Sequence, residues 1–295
     1  MIVFNQQLKG YDMEETKVFA VVNTKGGAGK TTFTANFGGI LADMGQRVLL
    51  VDADFQPSLS SHFKIKERAS HGLKHFVTNG AYQDCISKTE IDNLDVIISD
   101  DPDLELETWL RRGATNFLCL RSVIMELKAS GLYDYIIIDS EGTVKSEMQE
   151  SIIVAADKLL APIIPHYKPA KEFTRGFVRT LNRVKPPRGM EHMYQVPETT
   201  VFINAKDRTN DNANVDGHIR DHFKDGTIHG SDFKISVMDT TIPNLASYNK
   251  ACGLQQPVHR VEKKRYNTST PSALETMMAF VYEICPELTG VEVSE

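Results

Sequence analysis

Two lysines, three glycines and two threonines stand together in Lys25-Gly26-Gly27-Ala28-Gly29-Lys30-Thr31-Thr32, a composition suited to gripping a phosphate. Glycines let successive backbone N–H groups turn inward around an anion. Lys30 adds a full positive charge, and the Thr31 hydroxyl can reach a Mg²⁺ ion. Two acidic positions downstream supply complementary chemistry. Asp52 and Asp54 are two residues apart, as side chains sharing one face of a strand are, and can place a metal-bound or attacking water beside a terminal phosphate. Asp139 closes an apolar run, where an acid can order Mg²⁺. These groups read as a nucleoside triphosphate site.

Such a site needs strands and helices that bring its parts to one edge. Lys17–Asn23 is a β-type run leading into the loop, and a helix follows over 31–44. There Phe33, Phe37, Ile40, Leu41 and Met44 recur every three to four residues, with Gly45 as the stop. The N-terminus of that helix adds its own partial positive charge. Continuous apolar runs at Arg47–Asp52, Tyr133–Asp139 and Lys158–Pro165 have the character of buried parallel strands. Leu94–Ser99, Thr200–Asn204 and Phe233–Val237 are read as strands as well. Helical patterns occupy 104–129, the stretch up to Asp157, and a closing helix from Ser272 that carries Leu274, Met277, Met278, Val281 and Ile284. Residues 58–93 read as polar helix and loop, and Asp100-Asp101-Pro102-Asp103 as a solvated turn. Alternating strands and helices predict an α/β fold, a doubly wound, mainly parallel sheet with helices on both faces. In open sheets of this kind ligands bind at the carboxyl ends of the strands, where Asp52, Asp54 and Asp139 emerge.

Lys25–Thr32 resembles the deviant Walker A motif, K-G-G-x-G-K-T-T, of the ParA/MinD family of ATPases, closest to its ParA-type, Soj-like partition members. Asp52-Ala53-Asp54-Phe55-Gln56 resembles the family's D-x-D-P-Q element, and the strand ending in Asp139 its Walker B strand. The resemblance implies ATP and Mg²⁺ as cofactors and an ATP-sandwich homodimer in which Lys25 reaches the partner's phosphates. It further implies that Asp54 orients the hydrolytic water, that Asp52 supports the shell around a metal held by Thr31 and Asp139, and that Asn204 contacts adenine. Phosphates fall to Lys25, Gly26, Gly27, Ala28, Gly29, Lys30, Thr31 and Thr32, and catalysis to Lys25, Lys30 and Asp54. A ParB-like centromere-binding or cargo-adaptor protein is the implied partner. Three positions depart from the pattern. Thr24 stands where the general phosphate loop has glycine, Phe55 replaces a proline, and Ser140-Glu141-Gly142 replaces the usual x-P-P after Asp139.

Net charge is −6 over 295 residues, unevenly spread. Residues 161–270 hold 17 Lys and Arg against 11 Asp and Glu, a surplus of +6 that leaves −12 on the remainder. This permits a polyanion-binding face on an acidic chain. Two basic segments are candidates for non-specific DNA contact. One is the helical stripe Lys171, Arg175, Arg179 and Arg183 with Lys168, Lys185 and Arg188 nearby; a solvated face or a dimer contact explains it equally well. The other is Arg260-Val261-Glu262-Lys263-Lys264-Arg265-Tyr266, whose cations suit phosphate contact.

Apolar residues make up 41% of the chain and charged ones 24%, ordinary for a globular domain. No run approaches the roughly 20 apolar residues of a membrane span, and no secretory pattern opens the chain, so the expected location is the cytoplasm, with nucleoid association in the ATP state. The tail lacks the basic amphipathic helix of MinD-like relatives, which points away from a membrane. Cys85, Cys119, Cys252 and Cys285 are widely spaced, against a zinc site or a disulfide framework. The expected organisation is a lead-in over 1–16, one ATPase domain over 17–285 and an acidic tail over 286–295. Two other functions remain open: an ATP-dependent adaptor switch with little hydrolysis, and a small-molecule kinase or ligase that has no need of Lys25.

Overall fold

The computed structural model describes residues 15–143, 146–165, 167–207, 210–223, 225–227 and 231–294. In chain order the strands are β1 (Lys17–Val21), β2 (Val48–Ala53), β3 (Ile65–Glu67), β4 (Ile86–Thr89), β5 (Leu94–Ile97), β6 (Tyr135–Ser140), β7 (Lys158–Ile163), β8 (Glu198–Ile203) and β9 (Ile235–Val237). The helices are α1 (Lys30–Asp43), α2 (Leu73–Asn79), α3 (Glu105–Arg112), α4 (Cys119–Ser130), α5 (Glu147–Ala155), α6 (Tyr167–Arg183), α7 (Asn210–Phe223), α8 (Ala246–Leu254), α9 (Val258–Val261) and α10 (Ala273–Ile284). The strands form one sheet in the order β3-β4-β5-β2-β6-β1-β7-β8-β9. It is parallel from β5 to β9, and β3 and β4 are antiparallel at one edge.

Side chains alternate across a strand, and here both faces are covered, so the central strands are apolar throughout. Val18, Leu49, Val51, Ile136, Ile138 and Val201 point to one side, against Leu73 of α2, Leu106 of α3, Ile152 of α5 and Phe177 of α6. Phe19, Leu50, Ile137, Leu160 and Phe202 point to the other, against α1 and α10. Ring contacts tie α1 down on that second face. Phe33 lies 4.5 Å from Phe202 and 4.7 Å from Phe280 between ring centroids. Phe37, one turn on, lies 5.6 Å from Phe280, so the first helix is fixed at both the phosphate-loop end and its middle.

The helical patterns over 104–129 are α3 and α4, with a 3-10 turn at Asn116–Leu118 between them. Two expectations change. The stretch 58–93 contains β3 and β4 besides α2. The acidic turn at 100–103 is not simply solvated. Asp100 accepts hydrogen bonds from the Gly72 and Lys74 amides at 2.9 Å each, and buried Asp101 accepts from Glu105 and Leu106 at 3.1 and 2.8 Å. Each carboxylate caps the start of a helix, serving amides that have no partner within it.

Candidate nucleotide-binding site

Three strands, β1, β2 and β6, bring the phosphate loop and the acids to one edge. Gly29 has φ 80°, a left-handed backbone that suits glycine, and its turn lets α1 begin at Lys30. Lys30 is 7% exposed. Burial lowers the pKa of its ammonium, and the charges of Asp139, Asp54 and Glu141 oppose that shift. The Thr31 hydroxyl donates to Asp139 Oδ2 at 2.7 Å, and Thr34 donates to Oδ1 at 3.2 Å. Thr34 was not singled out by the motif, although its place one turn after Thr31 faces it the same way.

Asp52 and Asp139 sit side by side in the β2–β6 register, both with no exposed surface. Asp52 Oδ2 accepts from the Leu59 and Ser60 amides at 3.1 and 3.3 Å, while its Oδ1 has no hydrogen-bond partner among the described residues. Burial, then the neighbouring Asp139 charge, pushes Asp52 up to about 8; burial chiefly pushes Asp139 up to about 7. Two adjoining buried carboxylates, one oxygen of them unpartnered, call for a cation. With the Thr31 hydroxyl they make an all-oxygen donor set that fits Mg²⁺. Asp54 follows β2, half-buried, and takes the Gln56 amide at 3.0 Å. The two β2 acids therefore part: Asp52 turns into the protein and Asp54 stays at the rim.

Asn204, after β8, donates through Nδ2 to the Ala28 carbonyl at 2.8 Å. It lines a cavity of about 150 Å³ with Thr32, Ile242, Pro243, Tyr248 and Met277. This cavity beside the phosphate loop mixes apolar side chains with a few amides, the character of a base pocket. Tyr248 and Met277 escaped the sequence reading of the site because they belong to α8 and α10, distant in the chain. Lys25 is half-buried at the loop's rim, its amide held by Asn23 Oδ1 at 2.9 Å. Thr24 packs on α6, its Oγ1 2.9 Å from the place where a side chain on Gly176 would begin.

The basic segments fare differently. Arg260 is not a solvated cation: its Nε and terminal nitrogen donate to the buried Asp43 carboxylate at 2.6 and 2.5 Å, and His259 Nε2 lies 2.8 Å from the same group. An acid at the end of a helix needs such cations, because the helix dipole there is negative. Lys263, Lys264, Arg265 and Tyr266 lie on an exposed loop before α10, with Arg265 3.9 Å from Glu262. On α6, Arg175 and Arg179 are exposed, and Arg183 pairs with Glu150. Lys185 pairs with Asp232 at 3.3 Å and lies over the Phe233 ring. The side chains of Lys168 and Lys171 lie outside what the structure describes.

Burial on its own would raise the Asp43 pKa, but the hydrogen bonds from Arg260 and His259 hold it below its ordinary range. A depressed carboxylate contributes stability above its unfolded-state pKa near 4, and that contribution is lost as pH falls through the folded value. Asp43→Asn is expected to cost about 2 kcal/mol at pH 7, discounted because Arg260 is partly exposed. A urea midpoint unchanged by the substitution would remove this tie from the account.

Comparison with known proteins bears on the same residues. A family model described as an AAA domain matches residues 16–188. The chromosome partitioning protein ParA of Caulobacter vibrioides is 30% identical over 245 residues, spanning 82% of this chain and 86% of that protein. The sporulation initiation inhibitor protein Soj of Bacillus subtilis is 27% identical over 244 residues, spanning 82% and 90%. The structure of Cyanothece McdA in complex with ATP superposes with a TM-score of 0.71 at 20% identity, covering 94% of this chain and 98% of that one, a likeness of fold. With the sheet order, the loop before α1 and a matched relative spanning most of both sequences all in agreement, the chain belongs to the ParA/MinD family of P-loop ATPases.

Proposed function

We propose that this protein is a ParA-type partition or positioning ATPase whose ATP-bound form is a sandwich dimer that binds DNA without sequence preference. Hydrolysis, accelerated by a ParB-like or cargo-adaptor partner, then releases the DNA. In this reading Lys30 and the amides of Gly26 to Thr32 hold the phosphates, Thr31 and Asp139 contact Mg²⁺ with Asp52 in support, and Asn204 borders the base. Asp54 orients the attacking water, and Lys25 completes the site of the facing subunit, as a cation delivered in trans stabilises charge on a transferred phosphoryl group. Mg²⁺ supplies neutralisation of phosphate charge when bound.

One observation supports nucleotide control of DNA affinity above the rest. The helix that begins at the phosphate loop also anchors the segment that carries the exposed cations. Asn36 Oδ1 accepts from the Val258 amide at 2.6 Å, and Asp43 holds His259 and Arg260 just before Lys263–Arg265. In this reading a change at Lys30 would pass along a single 14-residue helix to the basic loop. Among the described residues no helix is long and apolar enough to cross a membrane. The partition reading itself would put the protein on the nucleoid when it holds ATP.

The test is a DNA titration with ATP, ADP and no nucleotide at two salt concentrations. Binding is expected with ATP only, weakening as salt rises. Reversing Lys263, Lys264 and Arg265 together is expected to reduce the slope of log affinity against log salt by about 0.9 for each phosphate contact removed. Reversing Arg175 and Arg179 instead tests the α6 stripe. Binding that ignores both reversals, or ignores the nucleotide, would remove DNA from the cycle. A second reading, an adaptor switch with little hydrolysis, draws on the altered segment after Asp139; it predicts turnover that neither DNA nor an adaptor raises.

A further inference from the structure

The segment that departs from the family pattern, Ser140-Glu141-Gly142, carries an unexplained buried acid. Glu141 is 8% exposed, and its Oε1 has no hydrogen-bond partner among the described residues. The Ser146 hydroxyl, which donates to Glu107 Oε2 at 3.4 Å, lies near enough to favour the charged form of Glu141. Leaving a buried carboxylate oxygen unserved is costly, so an acid kept in this state points to a ligand. Its surroundings say where that ligand lies. The charges reaching Glu141 are those of Asp54, Lys30 and Glu147, the first two being groups of the phosphate site. The next residue fixes the approach: a Cβ on Gly142 would stand 2.7 Å from the Gly26 amide nitrogen and 2.9 Å from the Lys25 carbonyl carbon. Only glycine lets the backbone of 141–142 lie this close to the loop. A proline there, as in the family pattern, would force the segment away.

The backbone beside Glu141 is therefore pressed against the phosphate loop, and the Glu141 charge is felt by Lys30 and Asp54. We propose that Glu141 is a second water-orienting carboxylate of the hydrolysis site, accepting a hydrogen bond from the attacking water alongside Asp54. The proposal rests on the ATPase reading above. The water oxygen forms a bond to the γ-phosphorus while the bond from that phosphorus to the β–γ bridging oxygen breaks. ADP departs with the electron pair; one water proton stays on the phosphate and the other passes to solvent. Glu141 supplies an acceptor and is not consumed. Two acceptors restrain both protons of the water, which narrows its approach to the in-line direction. The purely structural alternative is that Glu141 only braces Ser146 at the start of α5.

Glu141→Gln separates the two, because the amide keeps the size and polarity that would brace Ser146 but removes a carboxylate oxygen from the water. The experiment measures kcat and ATP affinity for the parent, Glu141→Gln, Asp54→Ala and the double variant. Glu141→Gln is expected to slow turnover about tenfold or more. Its ATP affinity should be unchanged or tighter, since a negative charge beside the triphosphate is gone; this also shows that the variant is folded. The double variant should fall below Asp54→Ala by a similar factor. Parental turnover in Glu141→Gln, a loss of ATP affinity in step with turnover, or a double variant no slower than Asp54→Ala would each overturn the proposal. A parent that binds ATP and never hydrolyses it would overturn the ATPase reading itself, a result distinct from these.

Discussion

Lys30→Ala is expected to abolish measurable ATP binding. The ammonium is buried among three acids, Asp139, Asp54 and Glu141, and its pKa is lowered by that burial against their opposing pull. It is the cation placed where the helix start and the loop amides converge. Removing it takes away a charge-assisted contact to the phosphates and leaves the triphosphate facing carboxylates instead. Truncating one partner of a desolvated charge pair costs about 2–5 kcal/mol, or roughly 30-fold to several thousand-fold in affinity. Isothermal titration with Mg·ATP is the check. Saturable binding within a few-fold of the parent would mean that the phosphates sit elsewhere.

Asp54→Ala is expected to leave ATP binding intact and slow hydrolysis about a hundredfold. Asp54 stands at the rim, half-buried, where its charge reaches Lys30 and Asp139, while the Thr31 hydroxyl is given to Asp139. On the proposed assignment Asp54 acts on the water and Asp139 on the metal, so the loss of Asp54 should appear in kcat and not in affinity. Removing a negative charge near the γ-phosphate will if anything tighten ATP. Single-turnover hydrolysis by quench flow, beside equilibrium binding, distinguishes these outcomes. Normal turnover in this variant would assign the water to another group, with Glu141 the first to examine.

The parts of the site that were legible in the sequence are those whose chemistry is local. The K-G-G-A-G-K-T-T loop needs a strand before it and a helix after it, and both lie within a few residues. Asp139 was readable because a strand buried on both faces is apolar up to its end, so the acid that stops it stands out. The short strands Ile65–Glu67, at the sheet edge, and Ile86–Thr89, next to it, do not show in a helix-and-loop reading, since a half-exposed three- or four-residue strand carries almost no periodic signal. The cap at Asp100 is invisible for a different reason: Asp100 serves amides 26 and 28 residues away. The same holds for Arg260, read as a candidate for DNA phosphate contact although its counter-charge, Asp43, is 217 residues upstream. Long-range pairing of charges has no signature in local composition. Glu141 was legible only as a break in a pattern, and it took the burial of its side chain and the contact of Gly142 with the loop to give the break a meaning.

The central claim is that two copies of this chain close over ATP, each lending Lys25 to its neighbour. The most direct measurement is the solution mass of the Asp54→Ala protein by light scattering, with Mg·ATP, with Mg·ADP and without nucleotide. The account predicts twice the monomer mass with ATP alone, and a return to the monomer when Lys25→Ala is added. A single subunit at saturating ATP, or a dimer indifferent to both nucleotide and Lys25, would contradict it.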